Sequence, residues 1–237
     1  MESVQKKPSN NKYEIAIVIP AFNEGRILGS VLSDLSKYQY IVILVDDGST
    51  DDTYNIASKY PIHLLQHSCN LGQGAALQTG IIYALNLTDA KIIVTFDADG
   101  QHNPAEVDNI VRPILAKKAD VVLGSRFLNG GNTKNIPLGK YIVLKLATIF
   151  TRFTTRLSVT DTHNGFRAFS RFGASQIDIT QNGMSHASQI LKQIKDKKLI
   201  YCEIPITITY TNYSKNKGQS ILNSINVLWD SFFGGLK

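Results

Sequence analysis

Apolar residues along this chain follow two patterns, short continuous runs and helical repeats. Residues 15–19, 41–45 and 92–96 are runs of five with almost no polar interruption, and residues 120–124 form a further short run. A strand that faces water on one side alternates apolar and polar residues, whereas an unbroken run is typical of a strand buried on both faces of a parallel sheet. The runs therefore predict the strands of such a sheet.

Helical spacing fills the segments between these runs. Apolar residues recur at the spacing of one helix face after Asn23, and further helices are predicted over residues 51–59 and 73–87 and from Pro104, which suits a first helical turn. Strands that alternate with helices predict βαβ units with right-handed crossovers.

Residues beyond Gly139 follow a looser pattern. We expect a long helix to about residue 157, a segment around 164–169, a helix over 184–195, a strand over 200–210 and then a C-terminal helix. Neither an internal repeat nor a long linker divides the sequence. It therefore predicts a single α/β domain with a largely parallel central sheet flanked by helices.

Composition and termini narrow the class of protein. The longest apolar candidate for a membrane span, residues 141–153, is interrupted by Lys145 and Arg152 and falls short of the roughly 20 residues that a span needs. The polar first residues predict a disordered leader over 1–12 rather than a signal peptide, and hence a cytosolic protein. Cys69 and Cys202 have no metal-ligand or redox spacing and are expected to be reduced thiols.

Charge is unevenly divided along the chain. Residues 1–100 hold 7 basic and 11 acidic side chains, and the remainder holds 18 and 8, within a net charge of +6. The second half is therefore suited to anions. No basic motif with interleaved aromatic residues is present, so nucleic acid is not a predicted partner.

Three loops should follow the carboxyl ends of the predicted strands, where open parallel sheets bind ligands. They are residues 20–24 (PAFNE), 46–50 (DDGST) and 97–102 (DADGQH). In isolation the first could be a helix start and the second a turn with an N-cap. Asp97 and Asp99 are harder to explain structurally, because two anions after a buried strand repel each other unless a cation or a proton intervenes.

Oxygen ligands without paired His or Cys favour Mg²⁺ or Mn²⁺ over zinc. Such an ion, completed by phosphate oxygens and water, would neutralise the charge that builds up on a departing diphosphate. The 97–102 loop therefore predicts a metal-assisted leaving-group site.

Taken in order, these motifs resemble those of family 2 glycosyltransferases, especially the branch similar to dolichyl-phosphate mannose synthase. The segments that carry the resemblance are VIPAFNE at 18–24, VDDGSTDDT at 45–53, NLGQG at 70–74, DADGQH at 97–102, GSRF at 124–127, DTHNGFR at 161–167 and EIPI at 203–206. The resemblance covers residues 13–217 and implies an inverting enzyme of GT-A fold, followed by an amphipathic C-terminal helix over 218–237.

The resemblance also implies roles for individual residues. Asp97, Asp99 and Gln101 would hold the divalent ion, with Asp99 counted as catalytic. Residues from four of the segments would line the nucleotide pocket, Asp47 reading the base: Pro20, Ala21, Asn23, Glu24, Asp47, Gly72 and Asp97.

Two positions have structural alternatives. Gly72 permits close backbone approach to the nucleotide, or serves only a structural turn. Arg126 directly follows a predicted strand and can pair with phosphate in bidentate fashion; the alternative is a surface ion pair, which would contribute little.

A general base is the part of the family pattern that this sequence lacks. Many members that glycosylate hydroxyl groups carry a carboxylate pair late in the domain, and residues 183–190 contain none. Either His186 or Asp161 takes the proton, or none is needed because the acceptor is a phosphate already ionised at pH 7. The sequence leaves these alternatives open.

The predicted activity is transfer of a hexose from a UDP- or GDP-linked donor to a lipid-linked phosphate or a saccharide, in cell-surface polysaccharide or glycolipid biosynthesis. One alternative is a sugar nucleotidyltransferase, which would carry a Gly-rich loop in place of residues 20–24. The other is a nucleotide-sugar-binding module without turnover, against which the intact Asp97 and Asp99 argue.

Two segments are candidate contact surfaces. Lys145, Arg152 and Arg156 share a predicted helix face, which could meet anionic lipid headgroups on the inner side of a membrane or could be a solvated surface. The C-terminal helix ends in Trp229, Phe232 and Phe233, which could lie in a membrane interface or form a homodimer contact.

Overall fold

The computed structural model describes residues 15–134, 136, 138–183 and 185–210. The predicted leader and the predicted C-terminal helix lie outside the described residues. The strands are β1 (Ile15–Ala21), β2 (Ile41–Asp46), β3 (His63–Gln66), β4 (Ile92–Thr95), β5 (Val121–Ser125), β6 (Asn132–Lys134), β7 (Arg167–Ser170), β8 (Tyr201–Pro205) and β9 (Thr207–Thr209). The helices are α1 (Gly25–Leu35), α2 (Thr53–Ala57), α3 (Gln73–Leu87), α4 (Val107–Leu115), α5 (Leu138–Thr155), α6 (Arg171–Ser175) and α7 (His186–Asp196), with a 3₁₀ turn at Pro104–Glu106.

The central sheet has seven strands in the order β3-β2-β1-β4-β7-β5-β8. All neighbouring strands are parallel except β7, which runs antiparallel to both β4 and β5. Strands β6 and β9 pair in a small second sheet. The prediction of a largely parallel sheet is confirmed, and β7 is its exception.

Two apolar layers cover the two faces of this sheet. In β1, Ile15, Ile17 and Ile19 pack with α1 and α4 on one face. Ala16 and Val18 pack with α3, α6 and α7 on the other. Because each strand buries both sets of side chains, continuous apolar runs rather than alternation are what this sheet requires.

Most predicted elements are present, with three differences. The helix predicted over 51–59 is limited to α2, and the single strand predicted over 200–210 is wrong. Strand β8 ends at Pro205, and the Ile206 amide still donates to the Ser125 carbonyl of the large sheet (3.0 Å). The next strand, β9, pairs with β6 in the small sheet instead. Strands β3 and β6 and helix α6 were not predicted, since each is only three to five residues long.

Of the helices in the described residues, none combines the length and apolarity that crossing a bilayer requires.

Candidate active site

The loops after β1 and β2 are joined by hydrogen bonds at the carboxyl edge of the sheet. The amide of Asn23 donates to Ser49 Oγ (2.9 Å), and Asn23 Oδ1 accepts from the Thr50 amide (2.8 Å). The Glu24 amide donates to Thr53 Oγ1 (2.8 Å). Asn23 takes a positive φ of 53°, which directs the chain back towards the second loop. The two motifs that were ambiguous in the sequence therefore form one structure.

Asp47 lies beneath this structure and is almost fully buried. Its amide donates to the carbonyl of Ala21 (2.8 Å), which places it beside the end of β1, where Pro20 and Ala21 are themselves buried. Its carboxylate accepts from the amides of Leu71 (3.0 Å) and Gly72 (2.7 Å). Asp47 thus holds the 70–74 loop against β2, in addition to its predicted role towards the base.

The 97–102 loop follows β4 and carries the predicted metal ligands. Gln101 folds back on Asp99, its amide donating to Oδ1 (3.0 Å) and its Nε2 to Oδ2 (2.6 Å). Asp97 accepts from Gln73 Nε2 on Oδ1 and from His102 Nε2 on Oδ2, both at 3.1 Å. The His102 ring packs against Phe96 and Phe166, so it supports the loop from below.

Electrostatics distinguishes the two carboxylates. Burial and the nearby charge of Asp97 raise the pKa of Asp99 to about 6. Burial acts in the same direction on Asp97, but the hydrogen bond and charge of His102, with the charge of Arg167, outweigh it and lower the pKa of that carboxyl. Close carboxylates that disfavour each other's ionisation are the arrangement that a cation relieves.

The donor set fits a hard divalent cation. Within the described residues, no group of three His, Cys, Asp or Glu side chains is gathered as a complete metal cage. Mg²⁺ and similar ions are usually held by one or two carboxylates, with substrate phosphates and waters supplying the other ligands. Asp97, Asp99 and the amide oxygen of Gln101 would serve in this way.

Gly165 brings the segment before β7 directly onto Asp97. A Cβ atom at Gly165 would lie 2.3 Å from Asp97 Oδ2 and 2.5 Å from Oδ1, so no larger residue fits without displacing the carboxylate. The carbonyl of Gly165 also accepts from Thr95 Oγ1 (2.6 Å). Because β7 is antiparallel, it is the residues before this strand that reach the carboxyl edge of the sheet.

Arg126 and Asp161 form a buried ion pair next to the 97–102 loop. Arg126 Nε and Nη2 donate to the two oxygens of Asp161 at 2.6 and 2.7 Å, and Arg126 Nη1 donates to Tyr210 Oη (2.8 Å). Burial acts to raise the pKa of Asp161, but Arg126 outweighs it and holds that pKa below its usual range. The pair is not the exposed one considered from the sequence, and a phosphate role for Arg126 stays a prediction.

Three buried side-chain polar atoms among the described residues lack a hydrogen-bond partner, and all belong to this region: His102 Nδ1, Asn164 Nδ2 and Arg167 Nη1. Burial lowers the pKa of Arg167 to about 10, against the charges of Asp97 and Asp161. Native structures satisfy nearly all such groups, and the exceptions usually have a functional reason. Their concentration here agrees with the choice of this edge of the sheet as the candidate site.

His186 opens α7 on the far side of the same region and is buried. Its Nδ1 donates to the carbonyl of Gly183 (2.8 Å), since a carbonyl can only accept. Burial and the charge of Arg167 lower its pKa to about 4. His186 is therefore neutral and weakly basic at pH 7.

The fold brings all the predicted site residues to one end of the sheet, but sequence reasoning missed several of their partners. Gln73 and Tyr210 lie within or beside recognised segments, yet no role was assigned to their side chains. His67, whose Nδ1 donates to Asp47 Oδ1 (2.7 Å), follows the unpredicted strand β3. Its place directly after a strand, at the edge where ligands bind, is the signal that could have found it.

A protein-family comparison decides the class of this site. The sequence model of glycosyl transferase family 2 matches residues 16–177. The chain is a family 2 glycosyltransferase. The predicted family, the predicted enzyme class and the preference over a nucleotidyltransferase are thereby confirmed.

Similar proteins match nearly the whole length of this glycosyltransferase. An uncharacterized protein of Methanocaldococcus jannaschii is 39% identical over 236 residues, 97% of each chain. UDP-N-acetylglucosamine–dolichyl-phosphate N-acetylglucosaminyltransferase of Methanococcus voltae is 32% identical over 235 residues, which cover 91% of this chain and 93% of that one.

A solved structure shows the same fold. Glucosyl-3-phosphoglycerate synthase of Mycobacterium tuberculosis, in complex with Mn²⁺, uridine diphosphate and glucosyl-3-phosphoglycerate, superposes with a TM-score of 0.68 and 20% identity. The match covers 93% of this glycosyltransferase and 80% of that chain. The predicted GT-A fold is confirmed.

Proposed function

We propose that this glycosyltransferase transfers a sugar from a nucleotide-sugar donor to the phosphate of a polyprenyl-phosphate lipid, with inversion and without a general base. The observation that carries the proposal is the buried ion pair of Asp161 and Arg126, which engages the only carboxylate candidate for the base that the sequence offered. The dolichyl-phosphate acceptor named for the Methanococcus voltae relative supports the same acceptor class.

The two candidate bases are both poorly suited to the task. Asp161 accepts from Arg126 Nε and Nη2 on both oxygens, so taking a proton would break a buried bidentate pair. His186 is buried with Nδ1 committed to a carbonyl, and its lowered pKa leaves it little tendency to accept a proton at neutral pH. A hydroxyl acceptor needs such a base in the transition state. A phosphate monoester does not, because its second pKa is about 6.

The reaction then requires few protein groups. An ionised oxygen of the acceptor phosphate attacks the anomeric carbon from the face opposite the leaving group, and a new carbon–oxygen bond forms. The bond from that carbon to the donor β-phosphate breaks, and nucleoside diphosphate leaves with the electron pair. No proton has to be removed from the acceptor.

Asp97, Asp99 and Gln101 would hold the divalent ion, which supplies charge neutralisation for the departing diphosphate. Gln73 and His102 orient Asp97 from two sides, and Gln101 orients Asp99. The loops joined at Asn23 and Glu24 would enclose the nucleoside, beside Asp47. A UDP-linked donor is favoured by the name of the Methanococcus voltae relative, and a GDP-linked hexose is the alternative.

The acceptor test compares a polyprenyl phosphate with the corresponding polyprenol, each offered with UDP- and GDP-sugars and Mn²⁺, and detects product by mass spectrometry. We expect transfer to the phosphate alone, from one class of donor. Asp99→Asn should lower that rate by about 100-fold or more, the usual effect of removing a group that stabilises transition-state charge. Transfer to the polyprenol at a comparable rate would show that a base is present and that the proposal is wrong.

Helix α5 offers a surface by which the enzyme would reach a lipid acceptor. One face of α5 carries five apolar side chains in a stripe at helical spacing, each at least half exposed: Leu138, Ile142, Leu146, Ile149 and Phe153. Lys145 and Arg152 border this stripe, and Lys145 Nζ lies 4.1 Å from the Phe127 ring centroid. An apolar stripe edged by basic residues is typical of a helix that lies in the interface of an anionic membrane. We infer that α5 docks there.

Co-sedimentation with vesicles tests this surface. The parent should bind vesicles that contain anionic lipid more strongly than neutral ones, and Phe153→Glu should weaken that binding. Phe172→Glu is the matched control, because Phe172 is also exposed but belongs to α6. Equal losses in the two variants, or equal binding to neutral vesicles, would contradict docking through α5.

A further inference from the structure

Strand β9 is hydrogen-bonded along both of its edges. On one edge it pairs with β6, where the Asn132 amide donates to the carbonyl of Ile206, directly before β9 (3.0 Å). Successive residues of a strand direct their backbone groups to opposite edges, so the amides of Thr207 and Thr209 point away from β6. Those two amides face the 97–102 loop and the 3₁₀ turn that follows it.

Glu106, at the end of the 3₁₀ turn, accepts the first of these amides. Its Oε1 and Oε2 lie 3.0 and 3.3 Å from the Thr207 nitrogen, so the carboxylate supplies the acceptor that a neighbouring strand would otherwise supply. The turn is itself capped, because Asn103 Oδ1 accepts from the Ala105 amide (3.0 Å). A fixed turn therefore sets the position of β9 along its own axis.

The second amide reaches the predicted cation site. The Thr209 amide donates to the Gln101 carbonyl (3.2 Å). The amide of Gln101 donates in turn to Asp99 Oδ1 (3.0 Å), and its Nε2 donates to Oδ2 (2.6 Å). The backbone of Gln101 is thus held on one side by β9 and on the other by Asp99. The orientation of the Asp99 carboxylate consequently depends on where β9 lies.

Apolar packing holds β9 down but does not determine its register. Ile208, between the two amides, is buried in the same apolar layer as Phe96 and Ala98. Burial of apolar surface is not directional, whereas a hydrogen bond requires a defined distance and angle. The bond from Thr207 to Glu106 is therefore suited to fixing where Thr209 meets the 97–102 loop.

We propose that Glu106 is a positioning residue for the cation site, acting through β9 on Gln101 and thereby on Asp99. The inference rests on the proposed function, since it takes Gln101 and Asp99 as ligands of the divalent ion. Groups that orient metal ligands without touching the ion usually change metal affinity by about 10- to 100-fold when they are lost. Glu106 acts through an intervening strand, so we expect an effect at the lower end of that range.

The experiment measures Mn²⁺ binding to the full chain by electron paramagnetic resonance, in the presence of saturating UDP or GDP. Glu106→Ala should raise the Mn²⁺ dissociation constant by about 10-fold. Glu106→Gln should restore the parent value, because its amide oxygen can still accept from Thr207. Thr209→Pro removes the amide that reaches Gln101, at a position whose amide points away from β6, and should match Glu106→Ala.

Asp120→Ala is the matched control. Asp120 Oδ2 also accepts a backbone amide from a distant segment, that of Ile200 (2.9 Å), but it lies before β5, at the opposite edge of the sheet from the site. Its thermal midpoint should fall while its Mn²⁺ dissociation constant remains that of the parent. If Glu106→Ala and Thr209→Pro behave like Asp120→Ala, Glu106 is only structural and the inference fails, although the proposed function stands. A parent that binds no Mn²⁺ with either nucleotide would overturn both.

Discussion

The carboxylates of Asp97 and Asp99 in the 97–102 loop and the carboxylate of Asp161 are the same chemical group in two opposite settings. Asp97 and Asp99 are partly exposed, close to each other, and hydrogen-bonded mainly to neutral amides and a histidine. Asp161 is buried and its charge is matched by a bidentate arginine. The first pair is therefore the candidate cation site, whereas the second is already neutralised within the protein.

We expect this difference to separate residues that meet ligand from residues that hold the site together. A buried carboxylate that loses its partner leaves a buried charge without compensation, so its substitution acts on stability. A carboxylate that repels its neighbour contributes little to stability, so its substitution acts on ligand binding and turnover. Proximity to the site therefore does not identify a catalytic group, and the state of its partners does.

The largest effect that would sharpen this contrast is expected for Asp161→Asn. Leaving Arg126 buried without its partner should cost about 3–5 kcal/mol of unfolding free energy, measured by urea denaturation at pH 7. Asp99→Asn should leave that free energy unchanged or slightly raised, because a repulsion is removed. Arg126→Met combined with Asp161→Leu should recover most of the loss. Equal stabilities for Asp161→Asn and Asp99→Asn would break the contrast.

An intermediate effect is expected at Gly165, where the two regions touch. Gly165→Ala would place a methyl group against the Asp97 carboxylate, and overpacking of this kind usually costs about 1–3 kcal/mol. Because Asp97 must move, Mn²⁺-dependent stabilisation by nucleotide should fall as well. Gly183→Ala is the control, since no atom of the described residues lies within 4 Å of a Cβ at that position. Similar thermal midpoints for the two variants would mean that Asp97 is not confined from this side.

The smallest effect at neutral pH is expected for His186→Gln. Burial lowers the His186 pKa from 6.5 to about 4, so between these values the unfolded chain binds a proton that the folded chain does not. Its contribution to stability is therefore complete above pH 6.5 and is lost as the pH falls towards 4. His186→Gln should flatten the fall in urea midpoint between pH 7 and 5, and leave the transfer rate with the same dependence on pH. A change in that rate profile would restore His186 as the base.

The sequence predicted the sheet, most helices and the recognised segments, because all three depend on local patterns. The apolar runs at 15–19 and 41–45 reflect burial on two faces, and helix Gln73–Leu87 was predicted with its observed bounds. The short strand β3 has no such pattern and was missed.

The partners of the site residues could not be predicted in the same way. Nothing local in the sequence indicates that Arg126 meets Asp161, 35 residues further on, or that the amide of Gln73 meets Asp97. These contacts depend on strand order, and in particular on the antiparallel β7, which brings the residues around Asp161 and Gly165 to the ligand edge. Residue types at a strand end predict a site, but its internal pairing follows from the whole topology.

Strand β9 has a consequence for how the enzyme is made. The Thr207 amide bonds to Glu106, 101 residues earlier, and the Thr209 amide bonds to the carbonyl of Gln101 (3.2 Å). A domain generally folds as a unit while the chain is synthesised from its N-terminus. When residues 97–106 have left the ribosome but residues 207–209 have not, the chain lacks the backbone amides that bond to Glu106 and Gln101. The completed site would therefore be among the last parts of this domain to form during synthesis.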